Sequence, residues 1–153
     1  MNDWEAFVQY NMQQMIATIH AAGNKVLPAM VMLFPHSPDK YGSLLVNQAA
    51  EASVKAKVSV ALHLDHEQDY ERVKYAASLP FDSIMVDMSH YELEENLRRT
   101  KNLTDYCNER GIAVEAEAGR IGGEDGLKDT RTLDIILTTH AVANRFIDIS
   151  TCI

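Results

Sequence analysis

The sequence predicts an α/β fold of the TIM-type (β/α)8 barrel class, incomplete, with about five to six strand–helix units in these residues. One observation behind this prediction is the alternation of strand-like and helix-like segments at intervals of roughly 25 to 30 residues, which is typical of a parallel sheet joined by helices. The other is the position of acidic residues at the ends of three successive predicted strands, where a barrel gathers its functional groups.

Length and composition indicate a single domain, residues 1–153. The chain is 46% hydrophobic, which is enough for a core, and its net charge of -8 without a basic stripe argues against binding to nucleic acid or to an anionic membrane. No apolar run is long enough to span a bilayer, and the first ten residues lack a signal-peptide core, so we expect a cytoplasmic protein. Cys107 and Cys152 match neither a disulfide framework nor a zinc-finger spacing.

Each strand is predicted from an apolar or alternating run, and each helix from apolar residues at helical spacing. Gly23 and Gly111 are interpreted as the stops of the first and fourth helices, and Ser89 with Glu92 has the spacing of a capping box that starts the fourth helix. The predicted strands are residues 6–10, 26–34, 58–66, 81–87, 112–118 and 146–149, and the second, third and last helices are residues 39–55, 68–78 and 133–144.

The third predicted strand, VSVALHLDH, is the most informative segment because its two faces differ. Val58, Val60, Leu62 and Leu64 alternate on one face, whereas the other face carries Ser59, Ala61, His63 and Asp65. The strand ends in the pair Asp65-His66. Histidine is a zinc ligand type and aspartate a general acid/base type, so the strand end is a candidate for metal-assisted chemistry. The alternative interpretation is a strand that simply ends in a polar loop.

Asp65, Asp87 and Glu117 lie at or near the carboxyl ends of three successive predicted strands. In a barrel these ends share one rim, where three carboxylates would repel one another unless a cation lies among them. A divalent metal site is therefore one hypothesis, and separate solvated acids are the other. His63 is interpreted as a residue of the layer below the rim, and Glu115 as a residue that lies beneath Glu117 and orients it.

Four segments together resemble the class II, zinc-dependent fructose-bisphosphate and tagatose-bisphosphate aldolase family, particularly its fungal-type members. They are HLDH at residues 63–66, FDSIMVDMSH at 81–90, EEN at 94–96 and VEAEAGRIGGEDG at 114–126. The resemblance covers residues 7–137, and its motifs are specific as a set. It implies a barrel in which Zn²⁺ polarises the ketone of dihydroxyacetone phosphate and stabilises its enediolate.

The resemblance also implies roles for individual residues. Asp65 corresponds to the acid that exchanges a proton with the aldehyde-derived oxygen, and His66 to the first catalytic zinc ligand. Asp87 and Glu117 correspond to ligands of a second or alternative metal position. Two further features complete the set: a mobile acidic loop, in which either Glu124 or Asp125 abstracts a proton, and the substrate-contacting Asn11.

Family members complete an eight-stranded barrel of roughly 250 residues. The two other zinc-binding histidines and the groups that hold the substrate phosphate lie on later strands in that family, so we expect a C-terminally truncated barrel here. Two hypotheses follow: an aldolase that acts on a phosphorylated sugar, or a catalytically inactive fragment, which is either a misassembled gene product or an interaction module that pairs through its open sheet edge. We expect a homodimer in either case, since an unpaired edge favours association.

Overall fold

The computed structural model describes residues 4–35, 42–119 and 138–149. Strands and helices alternate along residues 4–35 and 42–119, as the sequence predicts, and a further helix follows. In chain order the elements are β1 (Glu5–Val8), α1 (Met12–Lys25), β2 (Ala29–Leu33), α2 (Leu44–Val54), β3 (Val60–Glu67), α3 (Tyr70–Ala76), β4 (Ser83–Val86), α4 (Leu93–Asn108), β5 (Ala113–Ala116) and α5 (His140–Ile149).

The five strands form one sheet in the order β1-β2-β3-β4-β5, and every neighbouring pair is parallel. Parallel neighbours in sequential order, each pair joined by a helical crossover, are the arrangement of a (β/α) barrel. The predicted fold class is therefore confirmed as an incomplete TIM-type sheet. All carboxyl ends of the strands lie at one rim of this sheet, which is the rim that matters for the functional site.

Alternation along β2 shows how the core is built. Ala29, Val31 and Leu33 are buried on the face covered by helices, whereas Met30 and Met32 are only partly covered on the other face. The covered face packs with apolar residues of the first three helices and of β3 and β4. Burying a side chain of the size of valine or leucine stabilises the fold by roughly 1.5–3 kcal/mol, so this layer is the main source of stability in the sheet.

Two predicted helix boundaries are wrong, each for a local reason. Helix α1 does not stop at Gly23 but continues to Lys25. Val26 ends the helix, because it adopts a left-handed conformation (φ 55°) and its N–H donates to the Ala22 and Gly23 carbonyls. Ser89 does not cap α4, since Glu92 is the residue before its first turn. The Ser89 amide instead donates to the Asp87 carboxylate over 3.1 Å, which places this residue at the functional rim.

The predicted strand at residues 146–149 is also wrong, because His140–Ile149 is helical. A short apolar run such as FIDI does not distinguish a strand from one turn of a buried helix. Here Phe146 is buried, and Arg145 forms a bidentate ion pair with Glu94 of α4, with both nitrogen–oxygen distances 2.7 Å. Contacts with α4 therefore favour the helix. The part of the predicted helix at 133–137 lies outside the described residues.

Candidate active site

A β-bulge near the carboxyl end of β3 shapes the rim. The register pairs Leu64 with Ile84 but Glu67 with Val86, so β3 contains one residue more than β4 over this interval. His66 lies in the bulge with a φ of 52°, an uncommon conformation for a residue with a side chain. Conformations of this kind concentrate at functional sites, where surrounding contacts maintain them.

The bulge changes which side chains share a face. Leu64 belongs to the core, and Glu67 lies 3.3 Å from the Arg72 guanidinium of α3, so both face the helices. Strict alternation would have placed His66 on that same side, but the extra residue brings it beside Asp65 on the other face. His66 Nε2 lies 3.9 Å from Asp65 Oδ1. The Asp-His pair predicted from the sequence is thus presented together at the rim.

Asp87 is the most highly connected acid of the rim. Its Oδ2 accepts hydrogen bonds from His66 Nδ1 (3.1 Å) and Gln68 Nε2 (2.9 Å), and its Oδ1 accepts one from the Ser89 amide (3.1 Å). Burial alone would raise the pKa of Asp87, but the hydrogen bonds from Ser89, Gln68 and His66 outweigh burial and lower it. The carboxylate is therefore ionised and held in one orientation.

The environment of the rim raises the pKa values of both His66 and Asp65. Burial opposes protonation of His66, but the hydrogen bond to Asp87 and the negative charges of Asp65, Asp87 and Glu117 raise its pKa. Burial raises the pKa of Asp65, which is only 8% exposed, and the nearby His66 partly offsets this effect. Asp65 consequently retains a proton more readily than an exposed aspartate, which suits an acid that exchanges protons.

Glu117 follows β5 and is fixed from the helical layer. Its carbonyl accepts a hydrogen bond of 3.1 Å from the side-chain amide of Asn96 on α4, and Thr100 Oγ1 donates to Asn96 Oδ1 over 2.9 Å. Asn96 and Thr100 are both buried. Burial and the charge of Asp87 raise the pKa of Glu117, and His66 partly offsets them. Sequence reasoning gave Asn96 no role, although a buried amide on a helix face that packs on the sheet is a usable signal.

One layer below the rim, His63 lies where the sequence predicts it. The imidazole is 1% exposed, with its Nδ1 2.7 Å from Ser83 Oγ and its Nε2 3.7 Å from Glu115 Oε2. Burial lowers the pKa of His63, although the charge of Glu115 acts in the opposite direction. His63 is therefore neutral at neutral pH, and it lies between Ser83 of β4 and Glu115 of β5.

Of the three other predicted site residues, Asn11 is the one that the structure describes. Asn11 is exposed and caps α1, since its Oδ1 accepts from the Gln14 amide over 2.9 Å. Its predicted contact with substrate stays a prediction. The helix cap uses the side-chain oxygen, so the side-chain amide nitrogen is the atom that remains available for such a contact. Glu124 and Asp125 lie outside the described residues.

The rim has donors of the right chemistry for zinc but too few of them in ligand geometry. Across residues 4–35, 42–119 and 138–149, no group of three or more His, Cys, Asp or Glu side chains is placed to hold a metal ion. Asp87 accepts three hydrogen bonds, and the one from His66 orients the His66 ring. A catalytic zinc needs about three protein ligands, of which the described rim supplies one imidazole.

The opposite end of the sheet carries a wide cavity of about 1040 Å³, lined by residues that include Pro28, Ser59 and Asp82. These residues lie before the strands or at their amino ends. In barrels of this kind the amino-terminal end serves stability, whereas the carboxyl-terminal end carries the chemistry. The size of this cavity therefore does not move the candidate site away from the rim.

A parallel (β/α) sheet with an acid, an imidazole and two further carboxylates at its carboxyl rim defines a TIM-type enzyme scaffold. The family model described as "Fructose-bisphosphate aldolase class-II" matches residues 4–152. The chain therefore belongs to the class II fructose-bisphosphate aldolase family, as its motifs predict.

Known relatives agree with this assignment. A Coccidioides immitis protein assigned as a fructose-bisphosphate aldolase is 51% identical over 151 residues, covering 93% of this chain and 50% of that protein. The fructose-bisphosphate aldolase of Thermus caldophilus is 33% identical over 143 residues. The match covers 94% of this chain and 47% of the T. caldophilus protein. The chain thus spans about half the length of these curated relatives.

Solved structures show the same fold. A crystal structure of a C. immitis protein assigned as a fructose-1,6-bisphosphate aldolase matches with a TM-score of 0.87 and 51% identity, over 95% of this chain and 52% of that one. The YdjI aldolase of Escherichia coli K12 matches with a TM-score of 0.79 and 26% identity, over 97% of this chain and 55% of that one.

None of the helices in the described residues is long and apolar enough to cross a membrane.

Proposed function

We propose that this protein is a lyase that reversibly cleaves a ketose 1,6-bisphosphate to dihydroxyacetone phosphate and glyceraldehyde 3-phosphate, with Zn²⁺ as cofactor. Family membership supports the reaction class, and the names of the relatives support the sugar bisphosphate as substrate. We further propose that the reaction belongs to glycolysis in the cytoplasm. The -8 net charge gives no support to a nucleic-acid partner.

The bulge in β3 is the single observation that carries this proposal. It places Asp65 beside His66 at the rim, where the burial of Asp65 raises its pKa. Asp65 is thus suited to take the proton of the C4 hydroxyl as the carbon–carbon bond breaks and to return it to the C4 oxygen as the bond forms. A strand without the bulge would turn His66 into the helical layer and separate the two residues.

His66 is proposed as the zinc ligand, through the nitrogen that does not contact Asp87. Because Asp87 is ionised, the His66 Nδ1–H donates to it, which leaves the Nε2 lone pair available to a metal. Bound zinc would supply polarisation of the ketose carbonyl. Glu117, like Asp87, remains a proposed ligand of a second or alternative metal position.

The remaining assignments rest on motif correspondence. Either Glu124 or Asp125 abstracts the proton that leads to the enediolate, and Asn11 contacts the substrate through its amide nitrogen. We also propose that residues 1–153 belong to one domain and that the protein is a homodimer. The exposed Trp4 and Phe7 at the β1 edge of the described sheet support association. Light scattering after gel filtration tests the dimer, and a monomer at micromolar concentration would contradict it.

The test of the reaction uses a chimera, because the chain spans about half of its relatives. The 153-residue chain is joined to the part of the Coccidioides protein that it does not cover, and cleavage is followed by a coupled triose-phosphate assay with added zinc. Turnover should be abolished by a chelator and restored by zinc. Asp65→Asn should lower kcat by about 10²–10⁴-fold with little change in KM.

Asp105→Asn is the matched control for this substitution, since Asp105 is an exposed aspartate on α4. The control should retain the kcat of the unmodified chimera. A folded chimera without turnover would overturn the proposed reaction, whereas equal activity in the Asp65 variant would overturn only the role of Asp65.

A further inference from the structure

His63 has one nitrogen with a hydrogen-bond partner and one without. Nδ1 lies 2.7 Å from Ser83 Oγ, whereas Nε2 is buried and has no hydrogen-bond partner among the described residues. The nearest acidic oxygen is Glu115 Oε2, at 3.7 Å, and Glu115 is 62% exposed in its side chain. A buried imidazole nitrogen without a partner is uncommon and calls for an explanation.

The chemistry of the two neighbours distinguishes the tautomers of a neutral His63. A serine hydroxyl donates or accepts, so Ser83 tolerates either form of Nδ1. A carboxylate only accepts, so an unprotonated Nε2 would direct its lone pair toward the negative charge of Glu115. A protonated Nε2 would instead donate to that carboxylate after a movement of under about 1 Å, which an exposed glutamate side chain readily makes.

His63 lies close to the bulge of β3, on its amino-terminal side. His63 and Ser83 are cross-strand partners, and the regular pairing of β3 with β4 is interrupted just beyond them. The backbone pairing resumes only at the Asp87 amide, which donates to the Glu67 carbonyl over 3.0 Å. The His63–Ser83 hydrogen bond is thus the last side-chain connection before the interruption that presents Asp65 and His66.

We propose that Ser83, His63 and Glu115 form a hydrogen-bonded chain across β4, β3 and β5, with His63 as the Nε2–H tautomer, and that this chain positions the bulge. Ser83 Oγ–H donates to His63 Nδ1, and His63 Nε2–H donates to a Glu115 carboxylate oxygen. His63 is therefore a positioning residue for Asp65 and His66. Only the link to catalysis rests on the proposed function, because the hydrogen-bonded chain itself exists without substrate or metal.

The test is long-range ¹H–¹⁵N NMR of the imidazole rings in the metal-free 153-residue protein, with His63→Asn used to assign the His63 signals. The expected spectrum shows a protonated Nε2 and an unprotonated Nδ1. Glu115→Gln should shift the His63 Nε2 signal, whereas Glu109→Gln, an exposed glutamate at the end of α4, should leave it unchanged. A protonated Nδ1, or equal spectra for both variants, would overturn the proposal.

A second pair of variants tests the positioning role. Ser83→Ala should shift the ring signals of His66, because β3 and β4 lose the side-chain hydrogen bond that precedes the bulge, whereas Ser59→Ala, an exposed position just before β3, should not. Unmoved His66 signals in Ser83→Ala would overturn that role. These spectra need neither turnover nor zinc, so the expected spectra together with a folded chimera that lacks turnover would contradict the proposed function alone.

Discussion

His66 Nδ1 lies 3.1 Å from Asp87 Oδ2, and this hydrogen bond joins the carboxyl ends of β3 and β4. The bond crosses the position where the bulge interrupts the strand pairing. It fixes the ring orientation and the tautomer of His66, which leaves Nε2 beside Asp65. The His66–Asp87 contact therefore links the bulge of β3 to the charged group that orients the proposed metal ligand.

Replacing the Asp87 carboxylate should reduce stability in a pH-dependent way. The folded pKa of Asp87 lies below 3.8, so its contribution to the free energy of unfolding is present above that value and is lost as the pH falls through the folded pKa. Asp87→Asn should lower the free energy of unfolding by roughly 1–3 kcal/mol at pH 7, and the difference should shrink below pH 3.8. Urea unfolding in chelator measures both values. A difference independent of pH would contradict the prediction.

Asn96 should stabilise the end of β5 far more than an exposed asparagine on the same helix. Asn96→Ala leaves the Glu117 carbonyl and the Thr100 hydroxyl without their partner, which should cost roughly 1–3 kcal/mol. Asn102→Ala is the matched control, because Asn102 is exposed on α4 and alanine is a good helix former. Chemical denaturation compares the two variants. Equal losses of stability would show that the Asn96 contacts contribute little.

The two histidines of β3 should titrate on opposite sides of the ordinary imidazole pKa of 6.5 in metal-free protein. Burial lowers the pKa of His63, so the unfolded chain takes up that proton first and acidification through 6.5 costs stability. The rim acids raise the pKa of His66, so its protonation stabilises the fold below 6.5 and that contribution is lost as the pH rises through the folded pKa. NMR titration of the ring carbons resolves both, and the reverse order would contradict the electrostatics described for the site.

Cys107 should be unreactive until the protein unfolds. The thiol is fully buried, and burial raises its pKa to about 11. In a Cys152→Ser variant, labelling by a thiol reagent at pH 8 should be at least about 1,000-fold slower than in denaturant, because a stability of ~5 kcal/mol limits opening. Rapid labelling of the native protein would show that α4 separates from the sheet at little cost.

The sequence was sufficient for the order and the parallel arrangement of the strands. Period-two alternation in β3 and the acids at the strand ends predicted that Asp65, Asp87 and Glu117 share a rim, because parallel strands direct their carboxyl ends to one side. The sheet order confirms this expectation. The position of His63 in the layer below follows from the same alternation.

Other features depended on tertiary contacts that no local pattern encodes. Nothing in LHLDHE marks the bulge, since a non-glycine residue with positive φ is set by its surroundings rather than by its own preference. Ser89 has the type and spacing of a helix cap but hydrogen-bonds Asp87 instead. Phe146 belongs to a short apolar run whose helical state is decided by packing on α4.

We propose that His66 anchors a metal ion at the rim formed by β3, β4 and β5. Calorimetric titration of the 153-residue protein with zinc tests it most directly, with His66→Ala as the variant and His20→Ala, an exposed histidine on α1, as the control. We expect weak binding that persists in His20→Ala and is lost in His66→Ala. An unchanged isotherm in the His66 variant would contradict this role of His66 and place the metal elsewhere.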